Sequence, residues 1–428
     1  MHIVIIGNGI TGVSAAVRIR QLQPEWKITM ISGESDYHYS RPSLMYIYMG
    51  HMRYKDTKPY EDSFWGRNDI GLLRGWVAEV DTSAKRLIMH KGDPVYYDKL
   101  LIATGSKSNK FGLPGEDLKG VQGLYDLMDL RALYENSEGV KNAVIVGGGL
   151  IGIELAEMLH SRGIHVTFLV REDSYWDNVM PEEESGMINR AIEREGMELK
   201  LKTGLKEIKG VRGGFAAGVV TDTGEHIECG LVGLTAGVSP NIDLVKDHAI
   251  PTGRGVLVDR GFRTGIEDVY SAGDCAEIVA GADERNLIQQ VWYTGKLQGR
   301  AAGEAISGCD TVYDPGVWYN SAKFINLEYQ TYGEVNNGQG TLDIEGEKNL
   351  YWEHEDQARA LRLVHNGESL VGVNVMGLRY RHRVCESWIK ERRPIDYVLR
   401  NLKEANFDPE FFRKYETEIA GTFRELLA

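Results

Sequence analysis

No Cys-x-x-Cys pair occurs in this chain: its four cysteines, Cys229, Cys275, Cys309 and Cys385, stand far apart. That spacing excludes a vicinal redox pair, argues against a zinc cluster or a disulfide framework, and fits reduced thiols in a cytoplasmic protein. Positive charge is also short. With 49 lysines and arginines against 62 aspartates and glutamates the formal charge is -13, so nothing overall invites nucleic acid or an anionic membrane. No run approaches the ~20 apolar residues of a membrane span. The apolar N-terminus lacks a basic leader, carries Gly-x-Gly within it and soon reaches Arg18 and Arg20, which reads against a signal peptide. At 428 residues, with 42% hydrophobic and 26% charged, the chain exceeds one ordinary core, and roughly two or three domains follow.

What the chain does have is glycine in two ordered settings. In HIVIIGNGITG, residues 2 to 12, an apolar strand runs into Gly7-x-Gly9-x-x-Gly12. Ile10, Val13, Val17 and Leu22 then mark the apolar face of a helix over 10–22, stopped by Pro24, and Lys27 to Ser32 reads as the next strand of a βαβ unit. Small residues at such a turn let a pyrophosphate approach backbone N–H groups at the helix N-terminus, with Ile10 and Thr11 among the binding residues. An acidic side chain about 20 residues past the last glycine holds the ribose hydroxyl pair, and Glu34 is the candidate. The stretch from Leu72 to Asp81 reads as one strand, and Leu87 to His90 with Val95 to Ala103 as a short β-meander.

The second setting is AVIVGGGLIGIELAEMLHSRG, residues 143 to 163: a strand, then Gly147-x-Gly149-x-x-Gly152 enclosing Leu150 and Ile151, a helix, and the strand His165 to Val170. Two fingerprints, each at a strand-to-helix junction, predict two nucleotide sites, and the second should take NADH or NADPH. A carboxylate at the end of its second strand would bond the 2′-hydroxyl of NAD, whereas an arginine would pair with the 2′-phosphate of NADP. Arg171 favours the phosphate. Glu172 beside it, Asp173, Asp177 and the want of another arginine before Arg190 lean to NADH, so the choice stays open. Beyond it follow an acidic helix start at Glu182 to Glu184 and a strand over Ile227 to Leu234.

Thr264 to Asp274, TGIEDVYSAGD, resembles the second flavin fingerprint of the two-dinucleotide-binding flavoproteins, the pyridine nucleotide-disulfide reductase superfamily. The resemblance implies an α/β fold with two Rossmann-like domains. FAD would be held by residues 1–110 and 237–308, NAD(P)H by 111–236, and an α+β interface domain would span 309–428. It implies that Gly273 and Asp274 meet the ribityl chain, that the Val77 amide meets the adenine, and that Ala103-Thr104-Gly105 marks the crossover out of the flavin domain. Gly237 would open the link back, Gly237-Val238-Ser239-Pro240-Asn241. A small-residue-rich helix following Trp292 would point at the flavin, with Trp292 either a ring-side contact or an interface aromatic. Glu154 would sit near nicotinamide and flavin, or else be a first-turn residue favoured by the helix dipole.

Tyr37-His38-Tyr39-Ser40-Arg41-Pro42 separates branches of that superfamily. NADH peroxidases and coenzyme A-disulfide reductases carry a redox cysteine about where Pro42 stands, whereas Arg41-Pro42 resembles ferredoxin and rubredoxin reductases and the nitrite reductase flavin domain. Met45 and Tyr46 replace the lysine many of these keep beside the flavin N5. Near the C-terminus Arg379, Arg381 and Arg383, with His382, Lys390, Arg392 and Arg393, form a basic exception that either docks an acidic carrier or pairs with Glu386 and Glu391. The expectation is an FAD-dependent NAD(P)H oxidoreductase, monomer or homodimer, without metal, passing electrons through N5 to a rubredoxin- or ferredoxin-type carrier. The alternatives are a two-electron reductase or oxidase of a small molecule, and an NADH-responsive redox sensor resembling apoptosis-inducing factor.

Overall fold

The computed structural model describes residues 1–246, 248–280, 286–338, 344–407 and 414–427; Ala428, where the expected C-terminal helices end, lies outside them. Two compact units result: Met1–Asn109, Gly123–Glu135 and Gly237–Pro315 form one, and Lys110–Gln122, Asn136–Ala236 and Gly316–Ala428 the other.

The first unit is built on a five-stranded sheet in the order Val269–Ser271, Lys99–Ile102, His2–Ile6, Lys27–Ser32, Ile70–Arg74, with every pairing parallel. Ile3, Val4, Ile5, Leu100, Leu101 and Ile102 are all buried. A parallel sheet covered on both faces needs such continuous apolar runs rather than alternation. Pairing Val269–Ser271 with Lys99–Ile102 sets Ala272-Gly273-Asp274 at the same sheet end as Gly7.

Three sequence expectations need correction in this unit. Residues 72 to 81 are not one strand: Ile70–Arg74 belongs to the parallel sheet, and Val77–Asp81 to an antiparallel meander with Arg86–Met89 and Val95–Tyr96. The break falls at Gly75, whose N–H turns back to the Ser32 carbonyl at 3.0 Å. Residues 95 to 103 divide likewise, Lys99–Ile102 rejoining the parallel sheet. The helix Ile10–Leu22 also buries a different face from the apolar one: Thr11, Gly12, Val13, Ala15, Ala16 and Ile19. The helix Trp292–Ile306 lies close against it. A methyl group added at Gly299 would stand 2.2 Å from the Thr11 carbonyl oxygen, and one at Gly303 2.9 Å from that of Ala15. Backbones this close admit only small residues between them.

In the second unit a five-stranded sheet runs Glu198–Lys200, His165–Leu169, Asn142–Val146, Leu231–Leu234, Val121–Gln122, again all parallel. The expected strand over 227 to 234 is two. His226–Glu228 ends an antiparallel sheet with Ala216–Thr221, and the chain turns at Cys229-Gly230 to enter the parallel sheet at Leu231. The C-terminal part is a five-stranded antiparallel sheet, backed by the helices His382–Lys390, Ile395–Asn401 and Glu416–Leu427 over a core that includes Leu361, Val375, Trp388 and Phe423. It is tied to the helix Glu182–Arg194 by charge. Arg362 donates to both oxygens of buried Glu184, at 2.7 and 2.8 Å, and to Glu183 at 2.6 Å. Breaking a buried pair by removing one partner costs several kcal/mol, so this clamp resists opening.

The helix–helix contact is directly testable. Gly299→Ala is expected to lower the unfolding free energy by about 1–3 kcal/mol through overpacking against the Thr11 backbone. A urea midpoint equal to that of the wild type would mean that the two helices do not pack this closely.

Candidate active site

Both glycine turns have the same construction. In the first unit Gly7 has φ +112°, and a methyl there would stand 2.1 Å from the Ala103 carbonyl oxygen; one at Gly12 would stand 2.1 Å from the Gly7 carbonyl oxygen. Gly9 is different: nothing lies within 4 Å of where its side chain would be. In the second unit Gly147 has φ +116° and a methyl there would meet Ala236 N at 2.9 Å, one at Gly152 would meet the Gly147 oxygen at 2.9 Å, and Gly149 again faces open space. Gly9 and Gly149 are the N-caps of the helices Ile10–Leu22 and Leu150–His160, neither has a side-chain cap, and neither helix has an acid in its first turn. The outer glycines thus serve protein packing, while the middle one leaves free helix-start amides beside an open space of the kind an anionic pyrophosphate fits.

Gly273, at φ +81°, backs onto Thr11, whose Oγ1 would lie 2.4 Å from a methyl there. Asp274 follows. Its Oδ2 accepts from Ser106 Oγ at 3.0 Å and Tyr125 OH at 3.4 Å, while Gln290 Nε2 donates to Ser106 Oγ at 2.7 Å. Burial raises the Asp274 carboxyl above its ordinary pKa, against the hydrogen bond from Ser106. Thr104 Oγ1 donates to the Asn241 carbonyl at 2.6 Å, and the Asn241 N–H returns to Gly105 at 2.8 Å. Gly237, at φ +91°, accepts from the Asn109 N–H at 3.2 Å. Trp292 opens its helix with its Nε1 buried and without an acceptor among the described residues.

Glu34 is fully engaged by protein groups. Arg41 Nη2 donates to Oε2 at 2.9 Å, and the Leu127 N–H and the Tyr39 hydroxyl donate to Oε1. Burial would raise the Glu34 pKa, but the Arg41 charge and these hydrogen bonds outweigh it and hold the carboxyl below its usual range. Arg41 Nη1 also reaches the Tyr125 carbonyl at 2.9 Å, and its guanidinium stacks 4.6 Å from the Tyr125 ring centroid. Pro42 is exposed in the short 3-10 turn Arg41–Ser43. Val77 begins its meander strand directly after Trp76, whose indole covers Gly33 so closely that a methyl there would meet it at 2.1 Å. Tyr46 is half-buried with His51 at 6.3 Å between ring centroids.

In the second unit Glu154 lies in the second turn of Leu150–His160, past the reach of the first-turn dipole argument. Burial, with the neighbouring Glu157 charge, raises its pKa to about 7. Tyr175 OH donates to the Gly149 carbonyl at 2.8 Å, and Glu157 accepts from Lys323 at 2.7 Å. Arg171 is exposed just past His165–Leu169. The basic run is partly spent: Arg379 pairs with Glu328, Arg393 with Glu391 at 2.6 Å, and His382 Nε2 stands 3.4 Å from Glu386. Arg381 and Arg383 are exposed.

Sequence reasoning missed Ser106, Tyr125 and Gln290. No motif marks them: Ser106 and Tyr125 reach Asp274 across 168 and 149 residues, and Gln290 reaches Ser106 across 184. The cysteines lie apart from reactive surroundings. Cys275 is buried with its Sγ 3.5 Å from the Ile102 and Ala272 carbonyls, burial lifts the Cys229 thiol to about 12 and the Cys385 thiol well up, and Cys309 is exposed. Among the described residues no group of His, Cys, Asp and Glu could hold a metal, and no helix is long and apolar enough to cross a membrane.

Two Rossmann-like sheets, each with a glycine turn open to a pyrophosphate, define a two-nucleotide flavoprotein reductase. Residues 1–298 match the pyridine nucleotide-disulphide oxidoreductase family, and the chain belongs to it. Rhodocoxin reductase of Rhodococcus erythropolis is 28% identical over 326 residues, 76% of each chain. Rubredoxin-NAD(+) reductase of Pseudomonas putida is 31% identical over 278 residues, 64% of this chain and 72% of that one. A NAD-dependent persulfide reductase from A. fulgidus shares the fold, with TM-score 0.87 at 23% identity, covering 100% of this chain and 83% of that one. The protein is an FAD-dependent NAD(P)H oxidoreductase.

Two outcomes follow from the site geometry. Gly9→Ala has open space and a permitted φ of -66°, so its urea midpoint should match that of the wild type, while FAD affinity, read from flavin fluorescence on dilution, should fall at least ~10-fold. Undiminished FAD retention would place the pyrophosphate elsewhere. For Glu154 the raised pKa means that folding favours the protonated acid. Its stabilisation is complete below the ordinary value of 4.5 and is lost as pH rises through about 7. Glu154→Gln should therefore gain on the wild type in urea unfolding as pH rises across that window, whereas parallel pH profiles would contradict a buried ionising carboxyl.

Proposed function

We propose that this enzyme passes electrons from NAD(P)H to a small one-electron carrier of the rubredoxin or ferredoxin type. The observation that carries this reading is the absence of a cysteine at the Arg41-Pro42 turn. Pro42 stands where thiol-dependent members of the superfamily carry a cysteine, and Cys275, the cysteine next to Asp274, is wholly buried among carbonyls. A disulfide or persulfide reductase needs an accessible thiolate there. FAD, when bound, supplies the exchange between two-electron and one-electron transfer.

In this reading residues 1–110 and 237–308 hold FAD, 111–236 bind NAD(P)H, and 309–428 form the interface domain. The amides of Gly9, Ile10, Thr11 and Gly12 receive the FAD pyrophosphate, and Asp274, held by Ser106 and Tyr125, bonds the ribityl hydroxyls. Glu34 and Val77 serve the adenosine half, Glu34 chiefly by aiming Arg41. Ala103, Thr104, Gly105 and Gly237 bring the backbone against the cofactor, and the orphan Trp292 Nε1–H supplies a donor. The amides of Gly149, Leu150, Ile151 and Gly152 receive the nicotinamide dinucleotide, and Glu154 accompanies its reactive end as a carboxyl that can hold a proton near neutral pH. Arg381 and Arg383 are among the exposed charges, with Lys390 and Arg392, that an acidic carrier would meet, and four free thiols suit a cytoplasmic location.

Anaerobic stopped-flow tests this: the flavoprotein is reduced with NADH or NADPH, then mixed with rubredoxin, ferredoxin, a persulfide or oxygen. Fast reoxidation by one of the two carriers, slowed by salt and by Arg381→Glu with Arg383→Glu, is expected. Fast reoxidation by persulfide alone would replace this reading with a two-electron reductase. Slow reoxidation by every acceptor would point to a redox sensor.

A further inference from the structure

The polar groups around the second glycine turn are divided in a way that bears on which nicotinamide dinucleotide enters it. The strand His165–Leu169 ends beside the turn, where the Gly147 N–H donates to the Leu169 carbonyl at 3.0 Å. The next residue, Val170, is wholly buried, and its Cγ1 lies 3.0 Å from where a methyl on Gly148 would be. A carboxylate here, under the middle of Gly147-Gly148-Gly149, would reach the adenosine 2′- and 3′-hydroxyls. An isopropyl group occupies the place instead.

Arg171 follows, exposed, its stem passing Gly204 with Cγ 3.6 Å from where a methyl there would stand. Among the described residues it makes no ion pair. The acids that argue for NADH in the sequence are largely spent. Asp173 pairs with Lys202 at 3.2 Å, and Asp177 accepts the Ser174 N–H at 3.2 Å to close its turn. Arg190, the next arginine along, is bound to Glu353. Two carboxylates share the neighbourhood: Glu172, whose carbonyl accepts from the Lys202 N–H at 3.0 Å, and Asp222, whose Oδ2 lies 2.8 Å from the methyl position of Gly204. Neither forms an ion pair with Arg171.

We propose that this site selects NADPH, with Arg171 pairing with the 2′-phosphate and Val170 withholding the carboxylate that NAD would use. The proposal rests on the second glycine turn being the NAD(P)H site. A guanidinium freed of protein partners presents two parallel N–H donors to a phosphate without first breaking an ion pair, and a charge-assisted contact of this kind is the strong form of hydrogen bond. Glu172 and Asp222 oppose it by repulsion, weakly because both ends of the contact face solvent.

The test uses the flavin-loaded protein and two probes that differ only in the 2′-phosphate, 2′,5′-ADP and 5′-AMP, each titrated by isothermal calorimetry. The expected result is tighter binding of 2′,5′-ADP by roughly 10- to 100-fold. That advantage should vanish in Arg171→Ala and survive in part in Arg171→Lys, with 5′-AMP affinity unchanged in both. Steady-state kcat/KM should then favour NADPH over NADH by a similar ratio, lost in the same variant. Equal affinities, tighter 5′-AMP binding, or an advantage that survives Arg171→Ala would overturn the assignment while leaving the nucleotide site in place. Failure of both probes to bind would overturn the site as well.

Discussion

Close backbone contact at two strand-to-helix turns is the constraint on which this molecule depends. Gly7 presses on Ala103 and Gly147 on Ala236, closer than any side chain allows, and in each unit this sets the start of a helix at the carboxyl end of a parallel sheet. Neither helix start has a side-chain cap, which leaves its first amides in the geometry that suits an anion. The close packing of Ile10–Leu22 on Trp292–Ile306 through glycine serves the same end, since it fixes the first of these helices along its length. Position is therefore decided by backbone, and side chains are left to tune charge.

That tuning is done by a linked set of polar groups in the first unit. Glu34 holds Arg41, Arg41 covers Tyr125, and Tyr125 with Ser106 holds Asp274. Glu34 and Arg41 compensate each other's charge, as low dielectric surroundings require, while Asp274 is met by neutral hydroxyls. Opposite effects on the two acids result: Glu34 is kept ionised, whereas burial pushes Asp274 toward its neutral form. In the second unit the buried Arg362–Glu184 pair plays the structural part, joining the C-terminal sheet to the helix Glu182–Arg194.

Sulfur has no place in this arrangement. The buried thiols of Cys229 and Cys385 are pushed up by desolvation, away from the thiolate form that nucleophilic chemistry needs. Nicotinamide-dependent flavin chemistry without a thiol relay does not run through thiol–disulfide exchange, and where a reduced flavin meets a charged protein, exposed rather than buried charge is what steers the encounter.

Read alone, the sequence determined the two βαβ units, both glycine turns, the acidic fingerprint ending at Asp274 and the missing cysteine. All of these are local: a strand, a turn and a helix start lie within about a dozen residues, and glycine is the residue whose backbone freedom such turns require. Four readings failed or stayed open for the opposite reason. The runs over 72–81 and 227–234 look continuous because apolar content says nothing about which sheet a strand joins, and Gly75 and Gly230 act as breaks only because different partners wait on either side. The face of Ile10–Leu22 was misjudged because its neighbour, Trp292–Ile306, enters from nearly 300 residues away. The ambiguity around Arg171 had the same origin. Along the chain its charge is nearly cancelled by Glu172, Asp173 and Asp177, and only tertiary structure shows that Lys202 takes one of these acids, a backbone turn takes another, and Val170 is turned inward beneath Gly148. Local geometry is written in neighbouring residues, but which charges remain unpaired is decided by whatever the fold brings beside them.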